Sequence, residues 1–265
     1  MNIKSAQAGT ESAERVADVL LALTHADGDI GVSAISRRLG LSKAVVHRIL
    51  QSLTSRELAR VDPTTRGYGL GPSAIALGAR ALRRSELRTV AREELILLRN
   101  ATQETTTLSL LVGDQRAYID QYEGPQEIKM TVEPGRLYSL HAGASSRAIL
   151  AFLPASHIQN VLSAGLKPLT DETIQDQDEL FEKLSEVRAK HFAVSQGERQ
   201  SGAGSVASPV FQSDGRVIGS ISVCGPITRF DPASVADHVP KVLAAANRIS
   251  ASLGWEVSQG PPRAR

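Results

Sequence analysis

Only one cysteine, Cys224, occurs in 265 residues, so no disulfide can form within the chain, and no Cys/His group has the spacing of a structural zinc site. A disulfide-stapled scaffold is therefore excluded, and a reducing compartment suits the composition. No apolar run approaches the ~20 uninterrupted residues of a membrane-spanning helix. The segment from Met1 to Glu14 is polar and lacks the apolar stretch of a signal peptide, which predicts a cytoplasmic protein. No repeat with a period of about 20–50 residues is visible, which excludes solenoids and propellers.

Catalytic motifs are missing as well. Ala207 stands where a nucleophile elbow built on Ser205 needs its second glycine, so a serine hydrolase has no anchor. Gly202 to Ala207 matches the letters G-x-G-x-x-A, but Pro209, Val210 and Phe211 continue as strand where a dinucleotide fingerprint opens a helix. No cofactor, no metal and no enzymatic activity are expected.

What remains is an ordinary globular chain, 42% hydrophobic and 22% charged, long enough for two domains. Its charge is uneven. Residues 1–88 hold 13 Lys/Arg against 8 Asp/Glu, whereas residues 89–265 hold 17 against 20, so the basic excess is N-terminal. That asymmetry suits a chain whose first part meets a polyanion.

Val16, Val19, Leu20 and Leu23 recur at helical spacing behind Ser12 as N-cap, predicting a helix to Thr24. A short second helix runs from Ser33 as cap through Ile35 and Leu39 to Gly40, the residue that adopts a left-handed C′ conformation at least cost. Ser42 caps a third, to about Ser55, with Val45, Val46, Ile49, Leu50 and Leu53 facing inward. So tight a glycine turn implies a helix-turn-helix. Leu58–Val61 and Tyr68–Leu70 flank the turn residues Asp62 to Gly67 as a hairpin wing, and Pro72 opens a linker helix.

Beyond the linker, a helix over Arg92–Thr102 precedes strands Thr105–Val112, Arg116–Tyr122 and Glu127–Glu133. Helices follow at Ser146–Phe152, Ala155–Ser163 and Asp178–His191, then strands Ser205–Phe211 and Val217–Val223, and a helix over Pro232–Leu253. This order describes an α+β fold with an antiparallel sheet. The domains are drawn at 12–71 (winged helix-turn-helix), 72–88 (linker helix), 89–256 (α/β domain) and 257–265 (a loose tail).

Burying the apolar stripe of the third helix leaves Lys43, Ala44, His47, Arg48 and Gln51 on the opposite side, with Ser42 at its start. Such a face fits a DNA major groove: Ser42, Lys43 and Arg48 can meet phosphates, and Lys43, His47 and Gln51 can reach base edges. Ser33 joins this set, and Arg66 at the wing tip is placed for a minor groove or the backbone. The competing reading of the polar face is solvated surface on a protein-interaction module.

At this point the residues carry a likeness. Ser12 to Pro72, with Ile35-Ser36-Arg37-Arg38-Leu39-Gly40-Leu41-Ser42-Lys43 and Val46-His47-Arg48-Ile49-Leu50, resembles the N-terminal domain of the isocitrate lyase regulator (IclR) family. Leu140 to Pro154 resembles the segment that opens that family's effector pocket; Glu198 with Gly202, Val206 to Phe211 and Ser220 to Pro226 resemble its C-terminal signature. The resemblance implies a GAF-like effector-binding domain, a homodimer or dimer of dimers, and a palindromic double-stranded DNA operator. It implies a transcriptional regulator, more often a repressor than an activator, that answers to a small organic or aromatic acid. Carried over by motif, the pocket lining is Ala144, Ser145, Ala203, Ser205, Ser222 and Cys224, with Gln196 in a preceding loop; backbone N–H groups near Ala144 to Ser146 suit a carboxylate. A ligand sensor without DNA binding is the alternative.

Two positions depart from the family pattern. Glu57 stands where the family usually has glycine, so either Glu57 takes a left-handed conformation at a cost of about 1 kcal/mol or the turn differs. Gln196 replaces an acidic residue of some relatives, which leaves effector charge open. Cys224 is either pocket wall or plain buried cysteine; redox sensing lacks an acidifying or resolving partner. His141 is either an effector contact or a structural residue.

Overall fold

A computed structural model describes residues 10–26 and 28–255; the tail drawn at 257–265 lies outside them. The chain divides into two compact units with the boundary between Arg83 and Arg84, and each has its own core.

The first unit contains α1 (Glu11–Thr24), α2 (Val32–Leu39), α3 (Lys43–Thr54), β1 (Ala59–Val61), β2 (Tyr68–Leu70) and α4 (Pro72–Arg83). Val19 and Leu23 of α1, Ile35 of α2 and Val46, Ile49, Leu50 and Leu53 of α3 close on Ala59 and Tyr68. Val45, expected inside, is half-buried. Two caps differ from expectation. Thr10, not Ser12, caps α1, accepting from the Ala13 N–H at 3.4 Å and leaving Glu11 and Glu14 in the first turn, where the helix dipole favours acids. Gly31, not Ser33, caps α2, because Ile30 is already bridged to Tyr68 by two 2.9 Å backbone hydrogen bonds and the chain must turn into the helix immediately after it.

Between α2 and α3, Gly40 has φ 67°, and the Ser36 hydroxyl donates to the Leu41 carbonyl at 2.6 Å, which locks the tight turn. After α3, Glu57 takes the left-handed conformation at φ 54°. Its carbonyl accepts from Ser73 N–H at 3.0 Å, and a Cβ at Gly71 would overlap that same oxygen, so the return of the wing into α4 is built around Glu57 and needs glycine at 71. In the wing, β1 and β2 pair antiparallel with Ala59 opposite Leu70 and Val61 opposite Tyr68. Hydrogen bonds from Thr65 and Thr64 to the Asp62 carboxylate close the turn and hold its carboxyl below the usual range.

The second unit contains α5 (Glu86–Thr102), β3 (Thr105–Val112), β4 (Gln115–Tyr122), β5 (Leu137–Ser139), α6 (Ala144–Leu150), α7 (Ala155–Ser163), α8 (Gln177–Lys190), β6 (Ala193–Gln196), β7 (Ala203–Phe211), β8 (Val217–Pro226) and α9 (Pro232–Ser252). The six strands form one antiparallel sheet in the order β5-β4-β3-β8-β7-β6. One face packs on α5 and α9 through Leu95, Leu98, Val206, Ile221, Val223, Val242 and Ile249; the other packs on α6, α7 and α8 through Ala148, Ile158, Leu184, Ala207 and Phe211. The result is an α+β fold with the sheet between two helical layers.

Three expectations are corrected here. The linker does not run as one helix to residue 88: α4 stops at Arg83, and Ser85 caps α5, its side chain accepting from Arg88 N–H at 3.3 Å. The run Glu127–Glu133 is not a strand. Val132 is instead held by the side chain of Gln121, whose amide gives and takes one hydrogen bond at 3.0 and 2.9 Å, so a side chain replaces the ladder, and the edge strand is the shorter β5. Finally, β6 adds a strand where a loop was expected, because Ala193 to Gln196 pair with β7 in register with Ala207 to Gly204.

Replacing Glu57 by glycine removes the left-handed penalty and adds unfolded-chain entropy, so stability of the first unit should change by no more than about 1 kcal/mol, whereas Glu57→Val, with a β-branched residue at φ 54°, should lower it by about 1–2 kcal/mol. Urea denaturation of the three proteins checks the order; Val as stable as Glu would contradict it.

Candidate functional site

The first candidate surface is the outer side of α3. Ser42, Lys43, Ala44, His47, Arg48 and Gln51 are all exposed, while Val46, Ile49, Leu50 and Leu53 on the other side are buried. Ser42 caps the helix, its side-chain oxygen accepting from Val45 N–H at 3.3 Å. Ser33 is exposed in the first turn of α2, where its carbonyl accepts from Arg37 Nε at 3.4 Å. Arg66 is exposed at the end of the wing turn, with φ 59°. The wing base is fixed by a two-pronged ion pair between Arg60 and Asp29 at 2.8 and 2.9 Å, an anchor that the sequence pattern did not reveal because the partners are 31 residues apart.

The second candidate is a cavity in the α/β unit. Alternation along the strands decides its chemistry. On β8, Ile221 and Val223 face the α5/α9 layer, so Ser220, Ser222 and Cys224 face the other side; on β3, Leu108 faces that same layer and Thr107 and Ser109 oppose it. The α6-facing side of the sheet therefore presents hydroxyls: Thr107 and Ser222 meet at 2.6 Å, and Ser220 donates to the Ser145 carbonyl at 3.1 Å.

The space above these hydroxyls is a chamber of about 30 Å³. Ala144, Ser145, Ala203, Ser205, Ser222 and Cys224 line it, together with Arg116, Tyr118, Met130, Ser195, Arg199 and Gln200. Gln196 does not: it lies on β6, not in a loop, and its amide is spent on the Phe230 carbonyl at 2.8 Å. Arg199 and Gln200 also line an adjoining open cleft of about 640 Å³ formed with Thr131 to Pro134, Arg136, Tyr138 and Leu169. Sequence reading gave Arg116 only as the first residue of a strand; its partners Ser109, Tyr118 and Ser146 lie on β3, β4 and α6 and meet only in the fold.

Around the chamber, Arg147 of α6 is buried against Glu198, which also accepts from Gly143 N–H at 3.1 Å, while Arg147 Nη2 donates to the Val194 carbonyl at 2.5 Å. His141 is buried and held from both sides, Nδ1 at 2.7 Å from the Ser139 hydroxyl and Nε2 at 3.0 Å from the Lys167 carbonyl. The carbonyl can only accept, so Nε2 carries the proton, and burial keeps the ring below its ordinary pKa. Burial pushes the Cys224 thiol up to about 12, more than the opposing fields of Arg199 and Arg116 can offset.

Comparison with known proteins places both units. The family described as bacterial transcriptional regulator IclR C-terminal matches residues 79–251, and the IclR helix-turn-helix domain matches residues 12–63. The HTH-type transcriptional regulator BhcR of Paracoccus denitrificans (strain Pd 1222) is 32% identical over 243 residues, spanning 91% of this chain and 87% of BhcR. The HTH-type transcriptional repressor AllR of Klebsiella pneumoniae is 29% identical over 94% of this chain and 92% of its own length. Among solved structures, an IclR transcriptional regulator from Alicyclobacillus acidocaldarius superposes with a TM-score of 0.78 at 31% identity, covering 93% of this chain and all of that one.

A thiol raised to about 12 is almost wholly protonated at neutral pH, and only the thiolate is nucleophilic. Native Cys224 should therefore react with iodoacetamide at pH 8 at least about 100-fold more slowly than in the urea-unfolded chain, and its rate should keep rising up to pH 10. Cys224 is itself only half-buried, so a native rate equal to the unfolded one, read by mass spectrometry, contradicts the raised thiol.

Proposed function

The chain belongs to the IclR family of bacterial transcriptional regulators, and on that premise we propose that it is a cytoplasmic, sequence-specific DNA-binding regulator, more often a repressor, whose operator affinity is set by a small organic or aromatic acid. The observation that carries the DNA half is the outer face of α3: six polar or small residues from Ser42 to Gln51 stand exposed on a helix whose other side is the core. Lys43 and Arg48 supply cations for phosphates, and His47 and Gln51 supply donors for base edges, with Ser42 as a further phosphate contact. Ser33 and Arg66 extend the contact to backbone and minor groove. The effector half is supported by the polar chamber between α6 and the sheet.

In this reading residues 12–71 bind DNA, 72–88 connect, and 89–256 hold the effector. Two protomers place their α3 helices in successive major grooves of a palindromic operator, about 34 Å apart. Association into a dimer or a dimer of dimers is supported by α4, which buries none of its residues and leaves Ile75 at 72% and Leu77 at 61% exposure. The effector acts by binding the DNA-competent and DNA-incompetent states unequally, with α4 the connecting element that changes half-site spacing. The reading assigns no catalysis and no cofactor.

Titration of the protein with DNA from upstream of its own gene, followed by fluorescence anisotropy at about 50 and 200 mM salt, tests it. Binding should weaken steeply with salt, and Arg48→Ala or Lys43→Ala should lower affinity roughly tenfold and reduce the salt slope by about one. Unchanged affinity in both variants would remove α3 as the DNA reader.

A further inference from the structure

The tip of the wing is a closed unit. Its Asp62 carboxylate accepts from Thr64 N–H at 2.9 Å and Thr65 N–H at 2.7 Å, Asp62 N–H donates to the Gly67 carbonyl at 2.8 Å, and Arg66 N–H donates to the Asp62 carbonyl at 3.0 Å. The tip therefore moves as one piece, and where it carries the exposed Arg66 is decided at the base of the hairpin. β1 and β2 have three residues each, and a two-stranded ribbon of that length is marginal alone, so the base needs a third element.

That element is the segment before α2. Ile30 exchanges two 2.9 Å backbone hydrogen bonds with Tyr68, which brings Asp29 alongside β2. Alternation puts Ala59 and Tyr68 in the core and Arg60 on the outer face, directly opposite Gly69. Arg60 and Asp29 meet there in their two-pronged pair, across the space that Gly69 leaves open. A Cβ on Gly69 would lie 2.4 Å from Asp29 Oδ1 and 3.1 Å from Arg60 Nη2, and one on Gly67 would lie 2.8 Å from Asp29 Cβ. Neither glycine has a left-handed backbone, so what their missing side chains supply is room for the pair.

Arg60 keeps 53% of its side chain in solvent and Asp29 keeps 16%, and pairs so exposed contribute little to folding. What a bidentate pair does fix is geometry, because the guanidinium and carboxylate planes must align. By charge alone Asp29 works against the unit's task, since it sets a negative charge in the part of the chain that meets a polyanion and neutralises a cation there.

We infer that Asp29 is a positioning residue for DNA recognition: through Arg60 it holds the base of the wing, and so sets where Arg66 meets the duplex on which α3 is seated. The inference deepens the DNA half of the reading above and rests on it, but not on the effector half.

The test is titration of full-length Asp29→Asn with the same upstream duplex at about 100 mM salt, followed by fluorescence anisotropy. Removing an acid should by charge alone tighten binding to DNA, whereas loss of the clamp should weaken it at least about fivefold, so the two effects differ in sign. Gly69→Ala leaves the charge unchanged and puts a methyl group where the Asp29 carboxylate lies, so it should weaken binding likewise. Arg66→Ala should lower affinity about fivefold with the pair intact and less than about twofold in Asp29→Asn, while the loss from Arg48→Ala should be the same in both. Affinity equal to or above native in Asp29→Asn or in Gly69→Ala, or an Arg66→Ala loss that does not depend on Asp29, overturns the inference. Melting temperatures within about 4 °C of native identify folded variants, and either variant carries the comparison if the other does not fold. Salt-dependent native binding that Arg48→Ala weakens and Asp29→Asn does not removes this inference alone; a native protein that does not bind the duplex removes the DNA reading together with it.

Discussion

The buried ion pair between Arg147 and Glu198 is the constraint on which the α/β unit's cavity depends. Arg147 sits in α6 with 3% of its side chain exposed, and Glu198 lies in the turn between β6 and β7. Removing one partner of such a pair leaves a charge uncompensated in the interior, at a cost of about 3–5 kcal/mol. The pair does not act alone. Glu198 also holds Gly143 at the start of α6, and its backbone carbonyl accepts from the Thr173 hydroxyl at 2.6 Å, so helix, turn and the segment before α8 are pinned at one point. Arg199 follows Glu198 directly and lines the chamber that this point encloses.

The polarity of the chamber follows from a second constraint, the period of two along a strand. Residues such as Ile221 and Val223 satisfy the α5/α9 core, and their neighbours Ser220, Ser222 and Cys224 are then obliged to face α6. Elsewhere on that face apolar residues such as Ala207 and Phe211 cover the sheet. Hydroxyls gather where the chamber lies, and each needs a partner of some kind, since a buried polar group without one is costly. Some find each other, as Thr107 and Ser222 do.

The DNA-binding unit works under the opposite economy of space. Its core is small, and its turns are tightened by particular residues: Gly40 at φ 67° between α2 and α3, and Gly71 against the Glu57 carbonyl at the exit from the wing. Both turns hold α3 against that core, where Val46, Ile49, Leu50 and Leu53 are buried and the opposite side faces outward. Glu57 departs from the usual glycine, yet keeps the left-handed conformation because the hydrogen bond from Ser73 and the close approach of Gly71 are built on it.

Local signals were legible wherever a residue's role depends on its neighbours in the chain. The 3.6-residue period of Val46, Ile49, Leu50 and Leu53, the left-handed Gly40 and the Ser42 cap all act within a few residues, so the apolar and polar sides of α3 can be read from the chain alone. The strands β3, β7 and β8 were legible for the same reason, since alternation is local. What lay beyond the sequence is what pairs across distance. Ser85 ends the linker by starting another helix, Gln121 substitutes for a strand partner of Val132, and Gln196 turns to the Phe230 carbonyl, 34 residues away. Arg116 is the clearest case: a charged residue in a strand pattern carries no sign of whether it meets water, an acid or three hydroxyls. Only the folded chain brings Ser109, Tyr118 and Ser146 around it and withholds a carboxylate, because burial and pairing are properties of the packed layers and not of the strand that bears the residue.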